Sequence, residues 1–249
     1  MKKISSDKTI FSVILAAGEG RRMKAKKRNK VTFRVAGIPI IKRTIGNLKE
    51  AGIENIIVVV GHAKESVISI LDTNVQMAEQ PERLGTANAL KHALPKIPKL
   101  CRNIIVAYGD DSFSITPQIF LDLYKFHIHT NSIVTLLTAK VKNPFGLGRI
   151  LRNKTGKIIK IVEEKDATEE EKKISEINAA CYVFDAVFLR ECIDEVPKNP
   201  KTGEYYLTSL IDIAIKHKKK VSTLALENFK WQGVNSRSEL QKAQRLFQL

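Results

Sequence analysis

A chain of 249 residues with 43% hydrophobic content can bury one sizeable core, and a formal charge of +16 points to an anionic partner. No segment approaches the roughly 20 apolar residues of a membrane span. The three cysteines, Cys101, Cys181 and Cys192, form no CxxC pair and cannot all pair with one another, which argues for core thiols in a reduced, cytoplasmic compartment.

The start, MKKISSDKTIFSVILAAGEG, has the basic, apolar, small-residue order of a secretory leader. Its apolar run covers only residues 11–17, however, and cationic sequence follows where a cleavage site would stand. That run reads instead as a buried strand. Two more, at Ile56–Val60 and Asn103–Tyr108, also lead into glycine, and apolar runs without alternation fit strands covered on both faces. Between the first two, Ile38, Ile41, Ile45 and Leu48 make a helical stripe, with Pro39 suited to its first turn and Gly52 to its stop. Helices are predicted near 63–71, 86–93 and 117–129, then a strand at 132–139. This alternation predicts an α/β fold with a Rossmann-like, doubly wound, mixed but mainly parallel sheet.

After Lys140 two alternating stretches flank residues 153–156 and predict a hairpin, hence a small inserted β-rich lobe at about 141–178. A strand at 180–185 returns to the sheet, and helices follow at 186–196 and 207–216. The run KHKKK at 216–220 fits a helix carboxyl end, where positive charge suits the dipole. Ser236 and Glu239 stand at capping-box spacing before a stripe of Leu240, Ala243 and Phe247, which predicts a helix in 236–249. No internal repeat or low-complexity linker is visible.

The loop after the first strand, GEGRRMKAKKRNK, carries seven basic residues among the ten from 21 to 30. Alone it supports three readings, in this order: a solvated basic turn, a phosphate loop and a nucleic-acid arm. Gly18 and Gly20 let backbone approach an anion closely at the exit of a buried strand, but neither GxxxxGK[ST] nor GxGxxG is present. Recognition elements and stacking aromatics of a nucleic-acid module are absent from the loop. The histidines read as incidental: His127 and His129 point to different helix faces, and His62, His92 and His217 have no matching cysteine or carboxylate cluster in the sequence.

Eight blocks in order give the loop a context: LAAGEGRRM with Lys30 behind it, EQPERLGTANAL at 79–90, YGD at 108–110, GLGRI at 146–150, IVEEKDAT at 161–168, EIN at 176–178, GEYYLTSLI at 203–211 and GVNSR at 233–237. Together they resemble the sugar-nucleotide pyrophosphorylases. EKDAT, EIN and GEYYLT are most similar to the N-terminal uridylyltransferase domain of the bacterial bifunctional N-acetylglucosamine-1-phosphate uridylyltransferase/glucosamine-1-phosphate acetyltransferases.

The resemblance implies the nucleotide-diphospho-sugar transferase fold and a division of labour. Leu15, Ala16, Ala17, Gly18 and Gly20 would lie along UTP, with Gln80, Gly85 and Thr86 holding the uracil. Tyr108, Gly109, Gly148, Glu163, Asn178 and Asn235 would frame the sugar 1-phosphate. Asp110 and Asn235 would bind Mg²⁺, a hard cation that takes oxygen ligands, and Arg22, Lys30 and Asp110 would be catalytic. Without that resemblance Glu163 reads as a solvated strand charge, Gln80 as a loop amide and Asn235 as a turn residue; Asp111 reads as a surface loop acid before it reads as an auxiliary metal ligand.

The implied reaction is in-line attack of a sugar 1-phosphate on the α-phosphorus of UTP, giving UDP-N-acetylglucosamine and pyrophosphate. Another sugar phosphate or nucleotide is the alternative, and a non-catalytic basic nucleotide- or RNA-binding protein is the rival of another class. No specific nucleic-acid or membrane partner is expected. The chain departs from the family pattern at Arg21 (threonine), Asn29 (proline), Ala87 and Asn88 (glycine and histidine), and Ala179 and Ala180 (threonine and glycine). The expected organisation is a nucleotidyltransferase domain at 1–235 and a terminal helix at 236–249, without hexapeptide repeats of a β-helix acetyltransferase and so without acetyl transfer. Lys24, Lys26, Lys27 and Arg28 are expected to form a solvent-facing lid segment.

Overall fold

The structure is a computed structural model that describes residues 10–20, 23, 27–227, 229 and 231–247. Residues 1–9 of the leader-like start, Arg21, Arg22, Lys24 and Lys26 lie outside the described residues. Strand β1 (Ile10–Ala16) leads through a 3₁₀ turn at Lys30–Thr32 and a short ribbon, β2 (Arg34–Val35) and β3 (Ile38–Pro39), into helix α1 (Ile40–Glu50). The alternation continues with β4 (Ile56–Val60), α2 (Lys64–Ile68), β5 (Gln76–Glu79), α3 (Thr86–Ala93), β6 (Asn103–Tyr108), α4 (Pro117–Thr130) and β7 (Val134–Lys140). Then come the hairpin β8 (Arg149–Arg152) and β9 (Ile158–Val162), α5 (Glu169–Lys172), β10 (Glu176–Asp185), α6 (Ala186–Cys192), α7 (Ser209–Lys216), β11 (Val221–Leu226) and α8 (Arg237–Phe247).

The sheet runs β11-β7-β10-β6-β1-β4-β5, with β10 antiparallel to both neighbours and the other pairings along this path parallel. From β1 the chain moves outward to β4 and β5, then returns to β6 on the other flank of β1. The crevice at the carboxyl ends of β1 and β6 is therefore the topological switch point, where such sheets bind ligands. The β8–β9 hairpin hangs from β10 through Ile177 and Arg149, beside this same crevice.

The unalternating apolar strands are explained by cover on both faces. Val13, Leu15, Ile57 and Val59 pack with α3, α6 and α7, while Ile10, Ile14, Ala16 and Val58 pack with α1 and α4. A third cluster joins Met23, Val35, Ile40, Phe113 and Val234 to Leu240, Ala243 and Phe247 of α8, so the apolar stripe read from sequence docks the terminal helix behind the site. Phe247 adds a tilted ring contact with Phe113 at 5.4 Å and lies under the Arg43 guanidinium at 5.3 Å.

Several element bounds differ from expectation. Ile38 is not on the α1 stripe; it lies in β3 and is 45% exposed. The cause is Pro39, which disfavours helical geometry in the residue before it, so the helix begins only at Ile40. The helix expected at 63–71 is only Lys64–Ile68, entered through Ala63 at φ 48°. β10 begins ahead of the strand expected at 180–185 and carries a register shift between Asn178 and Tyr182, where Ala180 has φ 55°. The ribbon, β5, α5 and β11 were not predicted. No described helix is long and apolar enough to cross a membrane.

Candidate active site

The exit of β1 forms the floor of the crevice. Leu15, Ala16 and Ala17 are buried, Gly18 is exposed, and Gly20 takes a left-handed φ of 61° against the Lys30 side chain. Met23 is fully buried, and Asn29 is tied to the strand exit. The Asn29 amide donates to the carbonyls of Ala16 (2.9 Å), Gly18 (3.3 Å) and His62 (2.9 Å), and its oxygen accepts from Val31 N–H at 3.2 Å. Asn29, registered above only as a departure, thus ties the β1 exit to the segment after β4 and starts the turn carrying Lys30. Arg28 is not a free lid residue: it donates to the Thr32 carbonyl at 3.3 Å and covers Phe33 at 5.3 Å.

At the exit of β6, Gly109 donates its N–H to the Leu15 carbonyl at 3.0 Å and is closely packed, with Leu15 O and Val31 both 3.1 Å from where a Cβ would lie. This close approach aims Asp110 at Lys30. The Lys30 ammonium is shared between the Asp110 carboxylate and Asn235 Oδ1, the latter at 2.7 Å. Asn235 is held by Val234 N–H on the Asp110 carbonyl (3.1 Å) and by its own N–H on Glu239 Oε2 (2.6 Å). Half of the expected capping box is present: Ser236 Oγ accepts from Glu239 N–H at 3.3 Å, while the Glu239 carboxylate accepts from the Asn235 N–H, one position earlier than the box requires.

Asp111 is not a surface acid. It is 8% exposed and accepts from Asn235 Nδ2 at 3.3 Å. Burial, then the neighbouring Asp110 charge, pushes its carboxyl well above the usual range, against the opposing pull of Lys30. Two buried carboxylates and one amide oxygen therefore converge here around the Lys30 ammonium, and these oxygens are donors of the kind a hard divalent cation takes.

On the other flank, Gln80 follows β5 and is 4% exposed. Its Nε2 donates to Gly85 O at 3.0 Å and to Asn88 Oδ1 at 2.8 Å. Both amide hydrogens are committed, so Oε1, which can only accept, is the atom left for a base edge. Gly85, at φ 101°, lies so close to Tyr205 that an added Cβ would meet its carbonyl oxygen at 2.5 Å. Thr86 Oγ1 accepts from Leu207 N–H at 2.9 Å, and Ala87 N–H donates to Tyr205 O at 2.9 Å. The LGT and GEYYLT blocks, far apart in sequence, are thereby one structural unit.

The same segment reaches the lobe. Thr208, next to Leu207, donates to Glu163 Oε1 at 3.0 Å just beyond β9, and burial raises the Glu163 carboxyl against that hydrogen bond. Gly148 faces Glu163 and Asn178, which lie 3.5 and 3.6 Å from where its Cβ would stand. Its loop is clamped by Glu164, which accepts from Gly146 N–H at 2.9 Å and pairs with fully buried Arg149 at 2.7 Å. Asn178 spends its side chain partly on internal bonds, donating to Tyr182 Oη at 2.5 Å and accepting from Ala180 N–H at 3.1 Å. Tyr108 stacks obliquely on Tyr182 between the lobe and the β6 exit. The structure thus joins Lys30, Asp110 and Asn235 in one cluster, ties Gly85 and Thr86 to the 205–207 segment, and sets Gly148 against Glu163 and Asn178; the contacts of Asn29, Asn88, Thr208 and Glu239 with the expected site residues were not foreseen.

Comparison with known proteins places the chain in a family. Over 237 residues, 95% of the chain, it is 39% identical to a bifunctional GlmU protein of Thermoanaerobacter pseudethanolicus, and over 238 residues it is 40% identical to that of Acetivibrio thermocellus. The GlmU protein of Streptococcus gordonii is 38% identical over 237 residues. The chain spans about half, 51%, of the length of each of these curated relatives. A solved structure from Bacillus anthracis, assigned as a glucose-1-phosphate thymidylyltransferase, shares the fold with a TM-score of 0.79 over 95% of this chain and 94% of that one, at 22% identity. The family described as nucleotidyl transferase matches residues 11–248, from β1 through the terminal helix, and the chain belongs to that family.

Proposed function

We propose that this chain is a uridylyltransferase that makes UDP-N-acetylglucosamine and pyrophosphate from UTP and N-acetylglucosamine 1-phosphate. The observation that carries the proposal is the meeting of Lys30, Asp110 and Asn235 beside the β1 exit at the switch point. The identity to the bifunctional relatives across 95% of the chain supports the choice of sugar. Nucleotidyltransferases of this family generally use a divalent metal, and the oxygen donors Asp110, Asp111 and Asn235 suit Mg²⁺. Bound there, Mg²⁺ would supply charge neutralisation for phosphate oxygens.

The protein's own part is positioning and electrostatics. An oxygen of the sugar phosphate forms a bond to the α-phosphorus of UTP as the bond to the pyrophosphate oxygen breaks. Lys30 brings a positive charge to the α-phosphate, and Arg22 is assigned to the departing pyrophosphate. Gln80 Oε1 accepts from the ring N3–H of uracil, a donor that cytosine lacks. Glu163, held by Thr208, and Asn178 take sugar hydroxyls and the acetamido group around Gly148. We place the reaction in the cytoplasm, where the three free buried thiols stay reduced.

Thymine presents the same N3–H edge as uracil, so Gln80 by itself also suits a thymidine nucleotide. Pyrophosphate release measured over a matrix of UTP, dTTP, CTP, ATP and GTP against several sugar 1-phosphates tests the proposal. Mg²⁺-dependent release with UTP and N-acetylglucosamine 1-phosphate as the best pair is expected. A different best pair would replace the substrate assignment, and no release with any pair would overturn the enzyme itself.

A further inference from the structure

His217 has partners after all. Cys192, at the end of α6, lies with its Sγ 3.8 Å from His217 Nδ1, although 25 residues separate them in sequence. On the other side of the ring, His217 Nε2 lies 3.1 Å from Glu195 Oε2. Among the described residues this is the one group of three His, Cys, Asp or Glu side chains whose ligand atoms all lie within 4.8 Å of one another. Its distance from the active site follows from the topology: His217 precedes β11, whose first residue Val221 pairs with Val134 at the start of β7. The cluster thus sits toward the amino edge of the sheet, opposite the carboxyl edge that carries Lys30 and Asp110.

We propose that Cys192, Glu195 and His217 form a second, separate cation site, selective for a borderline-soft divalent ion of the zinc class. The spacing fits: bonds of ~2.3 Å to sulfur and ~2.0 Å to nitrogen at a tetrahedral angle put the two donors ~3.5 Å apart, close to the separation already present. The carboxylate of Glu195 can only accept, so in the neutral ring Nε2 carries the hydrogen and Nδ1 turns its lone pair toward the sulfur. A carboxylate held on the far ring nitrogen orients metal-bound histidines in this way, and a small rotation lets the exposed carboxylate become a third ligand instead.

Access and field also agree. The sulfur forms a buried floor under a rim of half-exposed His217 and Glu195, and His217 caps the carboxyl end of α7, where a positive charge is favoured. Glu191 adds a further negative charge near the thiol, and Lys219 opposes with a positive one. Burial, followed by Glu195, pushes the thiol up to about 11. A bound ion displaces that proton to solvent as the metal–sulfur bond forms, without any change of oxidation state. Thiolate and imidazole disfavour Mg²⁺, so the two sites take different ions. Occupied, the site would tie the end of α6 to the end of α7.

Co(II) titration of the whole reduced chain, with Mg²⁺ in excess to fill the oxygen site, is the test. One equivalent should produce a near-ultraviolet thiolate-to-cobalt band that Zn(II) abolishes. Cys192→Ser should lose the band, and Glu195→Gln and His217→Ala should weaken binding by ~10-fold to ~100-fold while circular dichroism and nucleotidyl transfer stay unchanged. His217→Ala alters an exposed side chain, so it decides the matter even where Cys192→Ser disturbs packing. Absence of a cobalt band, or one undiminished in His217→Ala, would overturn the proposal and assign any bound metal to adventitious ligands.

Discussion

Lys30 Nζ and Asn235 Oδ1, 205 residues apart in sequence, meet at 2.7 Å, and the same ammonium contacts the Asp110 carboxylate. The contact ties together the β1 exit, the β6 exit and the segment that enters α8. Each arrives by a different route: a 3₁₀ turn begun by Asn29, a strand end pressed against Leu15, and a segment held by the Glu239 carboxylate just ahead of α8.

Removing Lys30 should therefore have two separable effects. Lys30→Met takes away the charge proposed to meet the phosphates and should cost on the order of 10² to 10³ in turnover. It also leaves Asp110 buried and unpaired, a loss of about 3 kcal/mol in stability. Adding Asp110→Asn should restore most of the stability and none of the turnover. Denaturant midpoints and pyrophosphate release on the two variants check this; activity that returns with stability would mean Lys30 is only structural.

The Gln80 amide is locked by Asn88, and this should set base choice. Asn88→Ala frees one Nε2 hydrogen and lets the amide reverse, so that it can donate to the ring nitrogen of cytosine. The ratio of kcat/KM for UTP over CTP should fall by about tenfold, the worth of one hydrogen bond. An unchanged ratio would show that Gln80 is oriented by Gly85 alone.

The main strands and most helices were legible because burial on both faces leaves unbroken apolar runs, and because α8 keeps a clean stripe of Leu240, Ala243 and Phe247. What stayed hidden lacked such a pattern. β5 is four residues of mostly exposed side chains, and β11 is a half-exposed edge strand, so their pairing with β4 and β7 decides their structure more than their own sequence does. Within the site, the motif blocks pointed to Lys30, Gln80, Asp110 and Asn235. Their supports did not stand out, because Asn29, Asn88 and Thr208 act through hydrogen bonds to carbonyls and side chains brought near by the fold alone. Asp111 was misjudged since its burial under Gly233 and Asn235 depends on the distant 231–235 segment. His217 was misjudged in the same way, its partners lying on the neighbouring helix end.

His127 makes stability depend on pH in a predictable direction. Its ring lies in the core between Thr135 Oγ1 (2.9 Å) and Asn103 Oδ1 (3.2 Å), and burial lowers its pKa to about 4. The unfolded chain takes up the proton first as pH falls, so the contribution is intact above about pH 7 and is lost between about 6.5 and 4, a change of about 3 kcal/mol. Half-buried Asp212, raised to about 6, acts with the opposite sign over much of this range. The comparison must therefore be with His127→Gln, which keeps a polar group but does not titrate. The wild type should lose stability relative to that variant as pH falls from 7 to 4.5; parallel curves would mean that the buried ring is protonated without penalty.

Asn29 offers a sharper test of how the loop works, because its backbone already has φ −71°, the value that proline imposes. Asn29→Ala removes the bonds to Ala16, Gly18 and His62 while leaving the main chain free, so both stability and loop position should suffer. A loss of about 2 kcal/mol and a raised KM for the nucleotide, with less change in KM for the sugar phosphate, are expected. Asn29→Pro loses the same side-chain bonds and also the N–H donated to Ser66 Oγ at 2.9 Å, but its ring fixes the path of the chain. Stability should fall there too, while KM for the nucleotide stays near the wild-type value. If the two variants raise KM equally, the hydrogen bonds themselves hold the nucleotide loop in place; if proline alone spares it, backbone direction into Lys30 is what the site requires.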